Sequence, residues 1–231
     1  MKLHTDDKII SRQSNWGFDE HVAPEFDKHV RKSVPNYVHV QELAETFSDW
    51  FTYPNSTVID FGASTGETLR RIKRRHSKAL NLIGYDNSQA MINQAKLKGI
   101  DITFADLEKP LDFPNISYAV SLYTLQFLRP DARNALLKRI YHCLENCGGM
   151  FVVEKVLGST AQMQGILQQL YWEMKAKNGF SSEQIINKAK ALRGCMYPKT
   201  VADNEAEFRA IGFNSEIVFK ESQFCGWLLT K

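Results

Sequence analysis

The sequence predicts an α/β chain built on a doubly wound parallel sheet that ends in an antiparallel hairpin. Three observations carry this. From residue 57 to about 153, short apolar runs alternate with amphipathic ones, the pattern of repeated strand–helix units. The run Met150-Phe151-Val152-Val153 is continuously apolar, as a strand covered on both faces requires. The last two β-rich runs, 216–220 and 224–230, are joined by a short polar turn and so close as a hairpin.

The elements follow in order. Residues 19–32 predict a helix with Val22, Phe26 and Val30 at four-residue spacing. Past Pro35, a second helix spans 38–51, with Val40, Leu43, Ala44, Phe47 and Phe51 on one face. A strand at 57–61 leads into a helix from Gly66, and a strand at 80–85 into a helix begun by Asn87 or Ser88. Strands at 101–105 and 118–122 come next, then a helix from Asp131, read as its N-cap, to Leu144. Beyond Glu154, residues 159–193 carry two helical segments broken at Asn178-Gly179. A last helix ends at Gly212, where a residue without a Cβ suits the left-handed cap. The chain reads as one domain, 1–231, with a helical N-terminal extension over 1–52 and a helical insert over 156–196. This is the outline of the class I methyltransferase fold, a Rossmann-like seven-stranded sheet with an antiparallel terminal hairpin.

Composition removes several classes of function. The 231 residues are 43% hydrophobic and 24% charged, ordinary for a globular chain. A net charge of +3 does not demand nucleic acid. No run approaches the roughly 20 apolar residues that span a bilayer. Met1 to Asp7 lack the apolar core of a signal peptide, so a cytoplasmic protein is expected. The cysteines at 143, 147, 195 and 225 and the histidines at 4, 21, 29, 39, 76 and 142 form no ligand cluster, so no metal site is expected.

The chemistry-bearing run is Val58-Ile59-Asp60-Phe61-Gly62-Ala63-Ser64-Thr65-Gly66, with Gly84-Tyr85-Asp86-Asn87-Ser88 behind it. Glycine lets a backbone approach a ligand closely. Asp86 lies 20 positions beyond Gly66, the distance at which a ribose-binding carboxylate is expected. The turn is not the dinucleotide Gly-x-Gly-x-x-Gly, because position 64 is Ser. It suits a nucleoside without a pyrophosphate, such as S-adenosylmethionine. Asp60 and Gly62 belong to this motif, and Asp106, after the next strand, is read as a ligand contact beside its alternative as a turn aspartate. Trp16 and Phe18 are read as an aromatic lid over a sulfonium, whose charge a ring face attracts, or as core. Glu154 either orients substrate or caps the next helix. Tyr171 and Trp172 either line a pocket or pack. The basic run 70–76 is read as a solvated helix face rather than an RNA contact. No catalytic base is assigned.

Several stretches resemble the carboxy-S-adenosyl-L-methionine synthase family, a branch of these methyltransferase-fold proteins. They are Trp16 to Ala23, Ser33-Val34-Pro35-Asn36-Tyr37, Tyr85 to Met91, Thr124-Leu125-Gln126-Phe127-Leu128, Gly148 to Lys155, and Lys177-Asn178-Gly179-Phe180-Ser181. The resemblance implies a homodimer that binds S-adenosylmethionine and converts its methyl sulfonium to a carboxymethyl sulfonium, with prephenate as carboxyl source. It implies that a separate enzyme uses the product on a tRNA wobble uridine. It implies that Tyr37 binds the cofactor, and that Gly62, Ala63 and Ser64 meet its amino-acid part. It places Asp86 and Asn87 at the ribose, Asp106 and Leu107 at the adenine, and Leu122 at a cofactor-binding position of the fourth strand.

The departures define the functional alternatives. Leu122 stands where the family has asparagine, Phe180 where it has tyrosine, and Tyr171 and Trp172 where it has histidines. Ala189 replaces an arginine that pairs with the added carboxylate. Lys188, Lys190 and Arg193 are its charged neighbours in sequence. A dry carboxylate without a cation costs several kcal/mol. The first expectation is therefore methyl transfer to a small molecule, with S-adenosylmethionine or its carboxylated form as cofactor. Carboxy-S-adenosylmethionine synthesis and a non-catalytic binding homologue are the alternatives. The apolar stripe Met163, Ile166, Leu167, Leu170, Tyr171 and Met174 predicts a helix that packs on the sheet domain and on a partner subunit. Direct nucleic-acid or membrane binding is not expected.

Overall fold

The computed structural model describes residues 2–6, 8–14 and 16–231; Met1 and Asp7 of the N-terminal stretch lie outside them. A short antiparallel pair, β1 (Lys2–His4) and β2 (Ile10–Arg12), opens the chain. It is followed by a 3-10 turn (Ala23–Glu25), α1 (Phe26–Ser33) and α2 (Tyr37–Phe51). The extension is thus not purely helical. Three-residue strands carry too little alternation to read from sequence.

The central sheet has seven strands. They are β3 (Thr57–Phe61), β4 (Asn81–Asp86), β5 (Thr103–Phe104), β6 (Ile116–Leu122), β7 (Leu144–Lys155), β8 (Asn214–Glu221) and β9 (Phe224–Thr230). Their order is β5-β4-β3-β6-β7-β9-β8. The first five strands are parallel, and β9 runs antiparallel to both β7 and β8. The chain leaves β3 in one direction, returns on its other side at β6, and so opens a crevice at the carboxyl ends of the strands.

Period-two alternation divides the core. Val58, Tyr118, Val120, Phe151 and Val153 face one side, where they meet α2 and α3 (Glu67–Arg75). Ile59, Phe61, Ala119, Met150 and Val152 face the other, where α5 (Pro130–Cys143) and α8 (Val201–Ile211) pack. The Tyr118 hydroxyl donates to the Ala44 carbonyl at 2.9 Å and ties α2 to the sheet. α4 (Gln89–Leu97) starts at Ser88, whose hydroxyl accepts from the Met91 amide at 3.1 Å.

Asp131 is not the N-cap of α5. Arg129 holds that position and Pro130 opens the helix, where its missing N–H costs nothing. Asp131 sits in the first turn instead and favours the helix dipole from there. α6 (Ala161–Lys177) and α7 (Ser182–Ala191) are both capped, by the Thr160 hydroxyl and by a Ser181–Gln184 capping box. No helix among the described residues is long and apolar enough to cross a membrane.

Candidate active site

One cavity of about 750 Å³ opens at the carboxyl ends of β3, β4, β6 and β7. All ten predicted cofactor residues line it: Tyr37, Asp60, Gly62, Ala63, Ser64, Asp86, Asn87, Asp106, Leu107 and Leu122. The turn after β3 is held from behind, since the Gly62 and Ala63 amides both donate to the Tyr85 carbonyl, at 2.8 and 2.9 Å. Gly62 has a φ of +87°, and a Cβ there would lie 2.1 Å from the Thr124 hydroxyl. The Asp86 carboxylate accepts from the Ser64 amide at 2.8 Å and from the Ser88 amide at 2.9 Å. Burial raises its pKa, and these donors oppose the rise. Burial, then the charge of Asp86, pushes Asp60 up to about 7. Asp106 accepts from the Glu108 amide at 3.0 Å, so it makes its own turn while lining the cavity.

The wall carries hydroxyls without partners. Ser64 Oγ and the Tyr123 hydroxyl are buried and unbonded. Tyr37 stacks on Tyr123 at 6.0 Å, and its hydroxyl accepts from Gln41 Nε2 at 3.1 Å, which leaves its proton for a ligand. A buried orphan hydroxyl costs about 1–3 kcal/mol, so a polar ligand is the natural partner. The glycine turn, the carboxylate behind it and these hydroxyls fit a nucleoside bearing an amino-acid arm.

Two helices roof the opposite end. Gln168, Tyr171, Trp172 and Lys175 of α6 and Ile185, Lys188, Ala189 and Leu192 at α7 line the cavity at i, i+3, i+4, i+7 spacing. Tyr171 and Trp172 are therefore wall residues, and the Tyr171 hydroxyl is anchored on the Ser33 carbonyl at 2.9 Å. Trp16 and Phe18 also line the cavity, and they pack with Val22 and Met91 as well, so lid and core are one arrangement. The β1–β2 pair braces α7 from outside, where Asn187 Nδ2 donates to the His4 carbonyl and the Ser14 amide to the Lys190 carbonyl, each at 3.0 Å.

Lys175 stood out in no sequence pattern, and with Lys155 and Lys188 it lines the same cavity. Burial pulls Lys155 down to about 8. Burial, then the charge of Lys155, pulls Lys175 down to about 7. Burial and the charge of Lys175 hold Lys188 well below the ordinary lysine range. Arg193 also lines the cavity, whereas the Lys190 side chain does not. His29 Nδ1 lies 2.6 Å from Asp6, its Nε2 has no partner, and burial and Lys188 pull it down to about 4.

One reading changes and another is narrowed. Glu154 neither lines the cavity nor caps α6. It is buried behind the wall, where Oε1 accepts from the Leu125 amide at 3.1 Å, and burial pushes it up to about 7. The basic run keeps a solvated face at Lys73, Arg74 and Arg75, but several of its arginines are also paired. Arg70 and Arg71 bond Glu67, Arg71 also bonds Glu45, and Arg75 bonds Asp49 at 2.6 Å.

Comparison with known proteins agrees with this geometry. Residues 58–148 match the family model for a methyltransferase domain. The chain is 34% identical over 222 residues to a carboxy-S-adenosyl-L-methionine synthase of Staphylococcus epidermidis, covering 94% of this chain and 97% of that one. It is 33% identical to the protein of the same name from Methylococcus capsulatus, covering 96% and 98%. Among solved structures it is similar to the plantazolicin methyltransferase BpumL with SAH, at TM-score 0.63 and 13% identity over 91% of this chain and 89% of that one. It is also similar to human N-acetylserotonin methyltransferase with SAM, at TM-score 0.60 and 18% identity over 92% of this chain and 55% of that one.

Proposed function

The chain belongs to the carboxy-S-adenosyl-L-methionine synthase family, and from that premise we propose that it makes the carboxylated nucleoside from S-adenosylmethionine and prephenate. One observation carries the choice over methyl transfer. Five separate stretches with the family's pattern each send residues to the same cavity: Trp16 and Phe18, Ser33 and Tyr37, Asp86 and Asn87, Thr124 and Phe127, and Lys155. The resemblance then suggests how the cavity residues divide over the nucleoside. Gly62, Ala63 and Ser64 meet the amino-acid arm, Asp86 and Asn87 the ribose, and Asp106 and Leu107 the adenine, with Tyr37 a further cofactor contact. Leu122 supplies apolar contact where an amide would have bonded.

The proton balance needs no protein base. Replacing one methyl hydrogen by a carboxyl group releases a proton. Decarboxylating prephenate to an aromatic ring releases hydroxide, and the two make water. The residues' work is then to hold both molecules in register and exclude solvent, which is worth several kcal/mol of barrier.

A second reading, methyl transfer to a small acceptor, is favoured by Ala189, which brings no charge to the cavity wall. Mass spectrometry of the nucleoside that co-purifies with the protein separates the two. A carboxymethyl sulfonium supports synthesis, and S-adenosylhomocysteine alone supports methyl transfer. We further propose a cytoplasmic homodimer whose contact is the exposed α6 stripe of Met163, Ile166 and Leu170.

A further inference from the structure

The cavity is electrostatically divided. Asp60, Glu67, Asp86, Asp106 and Glu108 lie among the residues of its nucleoside end. Lys155, Lys175 and Lys188 come from three different elements, β7, α6 and α7, to the other end. Lys175 is only 5% exposed, yet its ammonium group makes no hydrogen bond or ion pair with any described residue. The same holds for the ammonium groups of Lys155 and Lys188. Their contacts are aromatic faces instead. Lys155 Nζ and Lys175 Nζ stand 4.9 and 4.6 Å from the centre of the Tyr171 ring, Lys175 is also over Phe180, and Lys188 is over Trp16. Ring faces offset only part of the loss of hydration of an ammonium group.

The other charged groups nearby do not neutralise the cluster. Asp6 is the carboxylate whose charge reaches Lys175 and Lys188, and it is bonded to His29. Arg193 adds a further positive charge at the same wall. Three lysine amines with no matching carboxylate among the described residues, in a cavity lined by aromatic rings, hold their protons together only beside an anion. The nucleoside's sulfonium and ammonium groups are cations and cannot serve.

We propose that Lys155, Lys175 and Lys188 form a carboxylate-binding subsite within one chain, which holds the acid that donates the carboxyl group. The cluster supplies the cation that Ala189 does not, and neither Lys190 nor Arg193 is needed for it. The subsite deepens the synthase reading and depends on it only for the identity of the acid.

The test is calorimetric titration of S-adenosylhomocysteine-saturated protein with prephenate and, separately, with malonate. Lys175→Met and Lys188→Met each weaken prephenate binding at least tenfold and leave S-adenosylhomocysteine affinity within twofold. Methionine keeps the stem and the apolar packing, so neither variant melts below the wild type. Lys175→Arg retains part of the affinity. Wild-type affinity in both methionine variants overturns the subsite, as does a wild type that binds neither acid saturably. An equal loss of S-adenosylhomocysteine affinity overturns it too. The synthase reading fails separately: acid binding that depends on the lysines, without any carboxylated product, leaves the subsite standing. Product formation that is indifferent to the lysines does the reverse.

Discussion

The Ser64 amide donates to the Asp86 carboxylate at 2.8 Å, and this bond ties the turn after β3 to the end of β4. A second amide, that of Ser88, donates to the other oxygen at 2.9 Å. Each oxygen keeps a lone pair for a ribose hydroxyl. Asp86 therefore shapes the turn, and we propose that it also holds the ligand. Asp86→Ala loses charge-assisted bonds of about 1.5–3 kcal/mol each and leaves two amides unsatisfied. Calorimetry should find S-adenosylmethionine affinity reduced on the order of a hundredfold or more. Undiminished affinity would remove Asp86 from the site.

Gly62→Ala tests the turn itself. The new Cβ would meet the Thr124 side chain at 2.1 Å, on a backbone with φ of +87°. Left-handed strain of about 1–2 kcal/mol adds to overpacking of about 1–3 kcal/mol. Denaturant unfolding should report a loss on the order of 2–5 kcal/mol. A variant as stable as the wild type would mean that the turn adapts and that this glycine is not required.

The lysine end predicts a pH signature. Folded Lys175 titrates near 7, below its unfolded value, so the unfolded chain binds more protons between the two. Stability therefore rises with pH across that interval, and the cost of the buried charge is complete below 7. Lys175→Met should gain most over the wild type at or below pH 7 and lose the advantage near pH 10. Acid binding runs the other way, strongest below pH 7 and weakening as the free ammonium groups lose protons. Stability and titration curves that are flat across this range would contradict the assignment.

Met163, Ile166 and Leu170 are 41, 45 and 50% exposed on one stripe of α6, turned away from the cavity face. A dimer that covers them is disrupted by Leu170→Glu, which buries a charge in an apolar contact. Light scattering should give twice the chain mass for the wild type and the chain mass for the variant. A monomeric wild type would defeat the assembly.

Much of this molecule was legible in its residues. The strand–helix units and the terminal hairpin were readable from mostly apolar runs such as β3 and β6, and Gly212 takes the left-handed cap its sequence position implied. The nucleoside end was legible because a glycine turn and a carboxylate at fixed spacing belong to one strand–turn–helix unit. The basic end was not. Lys155, Lys175 and Lys188 lie on three different elements, and their spacing does not show that their side chains converge. Only the packing of α6 and α7 over the sheet brings them together. Glu154 misled for the complementary reason: a strand-end carboxylate points to the crevice or away from it according to a side-chain direction that spacing does not encode.

Synthesis of the carboxylated nucleoside is measured by incubating the purified protein with S-adenosylmethionine and prephenate and resolving the nucleosides by liquid chromatography and mass spectrometry. A carboxymethyl sulfonium nucleoside should appear only when both substrates are present, with phenylpyruvate formed in equal amount. Consumption of S-adenosylmethionine to S-adenosylhomocysteine, with no carboxylated nucleoside at any prephenate concentration, would contradict the synthase reading.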